Sequence, residues 1–232
     1  MVNKKKENGD SIDDQLNKLE ANNRIPFDLR AAKTPQRRWQ KKAYPSGVNY
    51  ACPEDPKEMG RYNDPTSRTG VCYTADFAAA AIAESLGRIY QRNPDEFILG
   101  MGDIEKARIH SLETTRETKV VNIVRLQALL HFTADQVMGG DYSITQGITN
   151  WAANTPGLDY DGIAYPSRHF GAGMCTAYWI REGESDPLAD VANSPADKYL
   201  DTAKENFPQN WEEEDITGFE IVTETLNYSV SS

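Results

Sequence analysis

Apolar positions along this chain fall into short, separated clusters, and their spacing predicts a mixed set of small helices and strands. Ser11 precedes Ile12, Leu16 and Leu19, an i, i+4, i+7 stripe that fits a short capped helix. From Tyr44 to Thr69 the chain is rich in Pro, Gly, Asn and Asp, which reads as loops and short strands. Gly70-Val71-Cys72-Tyr73 reads as a strand. Thr74 follows as the N-cap of a helix that runs to about Leu86, with Asp76 in its first turn and Gly87 as its C-terminal cap. On that helix Phe77, Ala80, Ala81 and Glu84 share one face, and Ile82 and Leu86 lie opposite. The many alanines let both faces pack closely, so the Glu84 carboxylate sits on a mostly buried helix. It either pairs with Arg88 one turn on or has a functional use.

Residues 88–118 are charged and weakly periodic, and read as helix and loop forming an insertion. Lys119 to Leu126 reads as a strand, followed by a helix over about Gln127 to Val137 that Gly139-Gly140 breaks. Ile144, Ile148, Trp151 and Ala152 mark an amphipathic helix. Gly162–Tyr165 and Met174–Ile180 read as strands, and Phe219–Tyr228 alternates as a final one. Helices and strands are interspersed with few βαβ units. The expected class is therefore α+β, with a small, mostly antiparallel β core and flanking helices. The expected organisation is a polar extension with a short helix at 1–38, a central domain at 39–181, and an acidic extension at 182–232 packing on that domain.

Charge and composition narrow the function. With 25 basic and 35 acidic side chains among 232 residues, the formal net charge is −10, which disfavours direct nucleic-acid binding. The longest apolar run, Phe77 to Ala83, falls far short of the ~20 residues of a membrane helix. The basic start, MVNKKKENGDS, has no apolar core like that of a secretory signal. A cytoplasmic location is expected. Cys52, Cys72 and Cys175 form no CxxC pair, and His110, His131 and His169 have no metal-ligand spacing, so neither a disulfide framework nor a metal site is expected. Phosphate-loop and GxGxxG motifs are absent. His169 reads as a loop histidine. The basic run Arg37, Arg38, Lys41 and Lys42 around Trp39 stands out in an acidic chain, either as a solvated face or as an anion site.

What remains is a constellation of Arg61, Tyr62, Tyr73, Glu84 and Ser167. Gly60-Arg61-Tyr62 matches the "GRF/GRW" segment of RES-domain proteins, a family named for an arginine, a glutamate and a serine. Tyr73-Thr74-Ala75 matches its "YxA" strand end, and Glu84 falls where its glutamate is expected. Asp161-Gly162-Ile163 and Tyr165-Pro166-Ser167-Arg168 match its "DGI.YPS.R" segment. In their order and spacing these motifs resemble the RES family over residues 39–181.

The resemblance implies an ADP-ribosyltransferase-like fold and a toxin neutralised by a cognate antitoxin with an Xre-like helix-turn-helix. NAD⁺ is then a substrate, cleaved at its nicotinamide–ribose bond by hydrolysis or phosphorolysis, and no cofactor is implied. The alternatives are an ADP-ribosyltransferase acting on a cellular protein and a non-catalytic protein that keeps the NAD-binding fold. Glu84, Arg61 and Ser167 are the implied catalytic residues. Glu84 would stabilise the oxocarbenium-like ribose, Arg61 would hold phosphate, and Ser167 would hydrogen-bond ribose or the nicotinamide amide. Tyr73, Tyr62, Lys41, Lys42 and Arg168 are the implied substrate-binding residues, with Tyr73 stacking on nicotinamide. One departure stands out: the family carries a further arginine upstream of the GRF-like one. Lys41 or Lys42 is expected to replace it, with Arg37 or Arg38 as the alternative; a lysine keeps the charge but loses the bidentate fork.

Overall fold

Local chemistry sets the first element of the structure, a computed structural model that describes residues 10–231. Most of the basic N-terminal start lies outside the described residues. Ser11 and Asp14 form a reciprocal capping box that opens α1 (Ile12–Ala21), and Leu16 is its buried contact. The chain continues through β1 (Phe27–Arg30), β2 (Pro35–Gln40), β3 (Cys72–Ala75), α2 (Ala78–Tyr90), β4 (Ile98–Gly100), α3 (Met101–Lys106), β5 (Arg108–Thr114) and β6 (Thr118–Asn122). There follow α4 (Ile123–Leu129), α5 (Ala134–Met138), α6 (Ser143–Asn154), β7 (Gly162–Pro166), β8 (Met174–Tyr178) and β9 (Leu188–Pro195). The last segment holds the short strands β10 (Leu200–Asp201), β11 (Ile216–Thr217) and β12 (Ser229–Ser231).

Eight strands form one sheet in the order β1-β6-β7-β8-β3-β2-β5-β9. Every neighbouring pair is antiparallel except β6 with β7. This is the expected α+β class, with a mostly antiparallel sheet and flanking helices. Helix α2 packs across β2, β3 and β8. Ala78 to Ala83 are all buried on it, and Gly173, at the entry to β8, lies so close that an added Cβ would sit 2.5 Å from Ala80 Cβ. Small residues on both sides thus set the helix–sheet distance. Ile82 and Leu86 anchor it, each burial contributing roughly 1.5–3 kcal/mol.

Several expected boundaries move. Thr74 is not a helix cap: it stays in β3, where its hydroxyl donates to Gln36 Oε1 at 2.6 Å, and Asp76 pairs with Arg30 at 2.9 Å. Helix α2 starts only at Ala78 and runs past Gly87 to Tyr90, whose ring packs on those of Phe97 and Tyr228. The stretch 88–118, expected as helix and loop in an insertion, contributes β5, which lies between β2 and β9 in the sheet. Its buried positions, Ile109, His110, Leu112 and Thr114, include two polar residues that mask the pattern. The strand expected at Lys119–Leu126 ends at Asn122, whose side chain accepts from Arg125 N at 3.0 Å and starts α4. The single helix expected at 127–137 is two, separated by His131 in the left-handed region at φ 56°. The final strand expected at 219–228 is helical: Thr217 and Glu220 form a capping box, and a π-helical turn follows over Ile221–Thr225. The sheet also extends beyond 39–181, since β1, most of β2 and β9 lie outside that span.

Candidate active site

At the end of β7 the chain turns through residues 167–170, and this turn carries Glu84 of α2. Ser167 Oγ accepts from Phe170 N at 2.9 Å and His169 N at 3.3 Å, and donates to Glu84 Oε1 at 2.8 Å. Arg168 N donates to the same oxygen at 2.6 Å, and His169 N at 3.4 Å. Glu84 is therefore held by the turn rather than by Arg88, and Oε2 accepts from none of the described residues. Ser167 is only 2% exposed and stands behind Glu84, so the expected direct contact between Ser167 and substrate is not what the geometry provides.

Glu84 opens onto a cleft of about 290 Å³. Arg61 borders it, donating from Nη2 to Met138 O at 3.2 Å, with its guanidinium 5.7 Å from the centre of the Tyr142 ring. The segment carrying Arg61 is tied to β3: Tyr73 Oη accepts from Tyr62 N at 2.9 Å and donates to Asn63 Oδ1 at 3.1 Å. Tyr73 lines the cleft, and burial pushes its phenol pKa up, so it stays protonated. Tyr62, expected to bind substrate, is 1% exposed and lies beneath the cleft. Its ring centre is 4.3 Å from that of Tyr165, which does line it.

The upstream cation is also relocated. Lys41 lines a neighbouring cavity, and Lys42 Nζ lies 5.2 Å over the Tyr44 ring; neither borders the cleft. Arg37 does. Its Nε donates to Tyr199 Oη at 2.8 Å and its Nη1 to Gln36 O at 3.1 Å, which fixes the fork on the helix side of β2. Arg38 also borders the cleft, but its guanidinium is tied to Gly47 O, Asn49 O and Cys72 Sγ. Strand alternation separates the two: neighbouring side chains leave opposite faces of the sheet.

Arg168 lines the cleft as expected, together with residues the motifs did not single out for it: Arg88, Tyr142, Trp39 and His169. Sequence reading takes His169 for a loop histidine. It is on a loop, yet it faces the cleft and packs on Gly87, where an added Cβ would lie 2.3 Å from its Cγ. Burial lowers the His169 pKa more than the Glu84 carboxylate raises it, so the ring is neutral at neutral pH. Cys175 borders the cleft as a thiol whose pKa is well raised by burial. Leaving out Arg38, whose guanidinium is held elsewhere, the lining has four arginines and one carboxylate, a cationic pocket in a chain of net charge −10. Two donors beside it, Arg61 Nε and Trp39 Nε1, have no acceptor among the described residues. Among the described residues, no group of three or more His, Cys, Asp or Glu side chains is placed to hold a metal ion. No described helix is long and apolar enough to cross a membrane.

The comparisons with known proteins bear on this geometry. A family model described as the RES domain matches residues 24–199, a span that takes in every strand from β1 to β9. Among solved structures, a chain of the M. tuberculosis MbcT–MbcA toxin–antitoxin complex superposes with a TM-score of 0.61. The sequence identity is 17%, and the alignment covers 94% of this chain and 100% of that one, a likeness of fold. No curated protein is similar enough to count as a match. The ordered motifs, the sheet that carries them and the match over most of the chain lead to one conclusion: this chain belongs to the RES domain family.

Proposed function

We propose that this protein is an enzyme that breaks the nicotinamide–ribose bond of NAD⁺, and that it is a toxin restrained by an antitoxin protein with an Xre-like helix-turn-helix. The observation that carries the reading is Glu84, held through one oxygen by three donors and facing a cleft rich in arginine. NAD⁺ has an anionic pyrophosphate at its middle and a cationic nicotinamide at one end. When the C1′–N bond breaks, its electron pair goes to the nicotinamide ring and neutralises it. The ribose is left with a positive charge shared between C1′ and the ring oxygen. The Glu84 carboxylate stabilises that charge, and its unoccupied oxygen is available to a ribose hydroxyl. Arg37, Arg61, Arg88 and Arg168 hold the pyrophosphate. Tyr73 and Tyr142 offer aromatic faces to the nicotinamide. Water or phosphate then adds at C1′, giving up a proton to solvent.

The antitoxin half of the proposal rests on the family and on the structural neighbour, which comes from a toxin–antitoxin complex. The test is nicotinamide release from NAD⁺ by the purified full chain freed of any antitoxin, with and without phosphate. Release that Glu84→Gln abolishes is expected. No release under either condition removes the reading, and labelled ADP-ribose appearing on protein instead of in free product assigns the transferase reaction.

A further inference from the structure

A second cavity, of about 540 Å³, lies against the cleft, and Trp39 lines both. Its floor is apolar: Leu86 and Leu99 are buried there beside the Trp39 indole, and Phe97 is half-buried. Polar groups of Asn93 and Asp103 line it as well. Helix α2 connects the two spaces: Ser85 and Arg88 line the cleft, and Leu86 and Ile89 line the cavity, joined there by Arg92 from the turn that follows the helix. Arg88 borders the cleft and Arg92 the cavity, so each space has a cation at its edge.

The cleft alone is small for a dinucleotide. Its 290 Å³ falls just short of the roughly 300–1,000 Å³ that encloses a drug-sized ligand, and NAD⁺ contains two nucleosides and a pyrophosphate. Resting on the NAD⁺ reading above, we infer that the second cavity takes the adenosine half of the substrate. The pyrophosphate, held by the cleft arginines, leaves the cleft past Arg88, the adenine ring lies on the apolar floor, and Asn93 and Asp103 meet its exocyclic amine and the ribose hydroxyls. A flat base with polar edges suits a space with an apolar floor and both donors and acceptors at its border.

The test compares NAD⁺ with nicotinamide mononucleotide, which has the same scissile bond and lacks the adenosine half. It adds calorimetric titration of AMP into the full chain. Ile89 is 40% exposed on α2, so Ile89→Glu keeps the fold, which an unchanged melting temperature verifies. Wild type is expected to bind AMP and to prefer NAD⁺ over the mononucleotide in kcat/KM. Ile89→Glu is expected to abolish AMP binding and to raise KM for NAD⁺ about tenfold, as a charge placed on an apolar contact should. AMP binding that survives Ile89→Glu, or no AMP binding and no preference in wild type, overturns the assignment. AMP binding lost in the variant with neither nucleotide cleaved by wild type keeps the cavity and removes the cleavage reading. Nicotinamide release without AMP binding does the reverse.

Discussion

Ser167 and Glu84 are 83 residues apart in the chain, and a 2.8 Å hydrogen bond joins them behind the wall of the cleft. The serine also caps its own turn by accepting from Phe170 N. It fixes the turn and presents a hydroxyl hydrogen to the carboxylate, all from a buried position. In the proposed reaction it is a positioning residue that acts through Glu84.

Ser167→Ala should lower kcat about tenfold while changing KM for NAD⁺ little, because Glu84 keeps its charge but loses one of the donors that aim it. The variant should also lose about 1 kcal/mol of stability, since Phe170 N gives up its acceptor. Steady-state kinetics and urea denaturation measure the two effects separately. A rise in KM with kcat unchanged would show that Ser167 contacts substrate directly.

Glu84→Gln should leave the fold intact, because the amide oxygen can still accept from Ser167, Arg168 and His169. It removes the negative charge facing the oxocarbenium, so the rate should fall about 10²–10³-fold. Nicotinamide release within a few-fold of wild type, with an unchanged melting temperature, would remove Glu84 from the mechanism.

Arg37→Met should weaken NAD⁺ binding about tenfold or more, because it takes a fixed guanidinium from the cleft. Lys42→Met should leave the affinity where it was, since that lysine lies over Tyr44 away from the cleft. Calorimetric titration of NAD⁺ into catalytically silent Glu84→Gln backgrounds checks both. The opposite ranking would restore the lysine as the upstream cation.

Gly87→Ala has an unusual expected sign. In an ordinary helix interior the change gains roughly 1 kcal/mol. Here the new Cβ would lie 2.3 Å from His169 Cγ, so α2 and the 167–170 turn must separate. The expected result is a loss of about 1–3 kcal/mol together with reduced turnover, because the same turn holds Glu84. A rise in melting temperature would contradict this packing.

The histidines predict a pH dependence of stability. Burial is the largest influence on both His169 and His110 and lowers their pKa values below 6.5, outweighing the carboxylates of Glu84 and Asp190 respectively. Below that pH the unfolded chain binds protons that the native state resists. The stability is therefore full above the unfolded value and falls as pH drops from about 6.5 toward the folded values. Urea midpoints measured between about pH 7.5 and 5.5 should decline, and His169→Gln should flatten the decline. An identical slope in that variant would exclude His169 as a source.

Local chemistry alone determined a good part of this protein. The Ser11 cap, the alanine-rich helix, the strands at 162–166 and 174–178 and the α+β class follow from short-range periodicity and turn residues. The motif order brought Arg61, Tyr73, Glu84 and Arg168 to notice, and the structure brings all four to one cleft. Tertiary structure decided the rest. Tyr62 and Tyr73 look equivalent as letters, yet the turn that carries Tyr62 buries its ring against Tyr165, while β3 brings Tyr73 to the cleft. Arg37 and Arg38 differ only in which side of the sheet each guanidinium leaves, and that depends on how β2 pairs with β3 and β5. Strand β5 was hidden because its buried positions include His110 and its partners are far away in sequence. His169 reached the cleft through the close approach that Gly87 permits, a contact between residues 82 positions apart that no local pattern records.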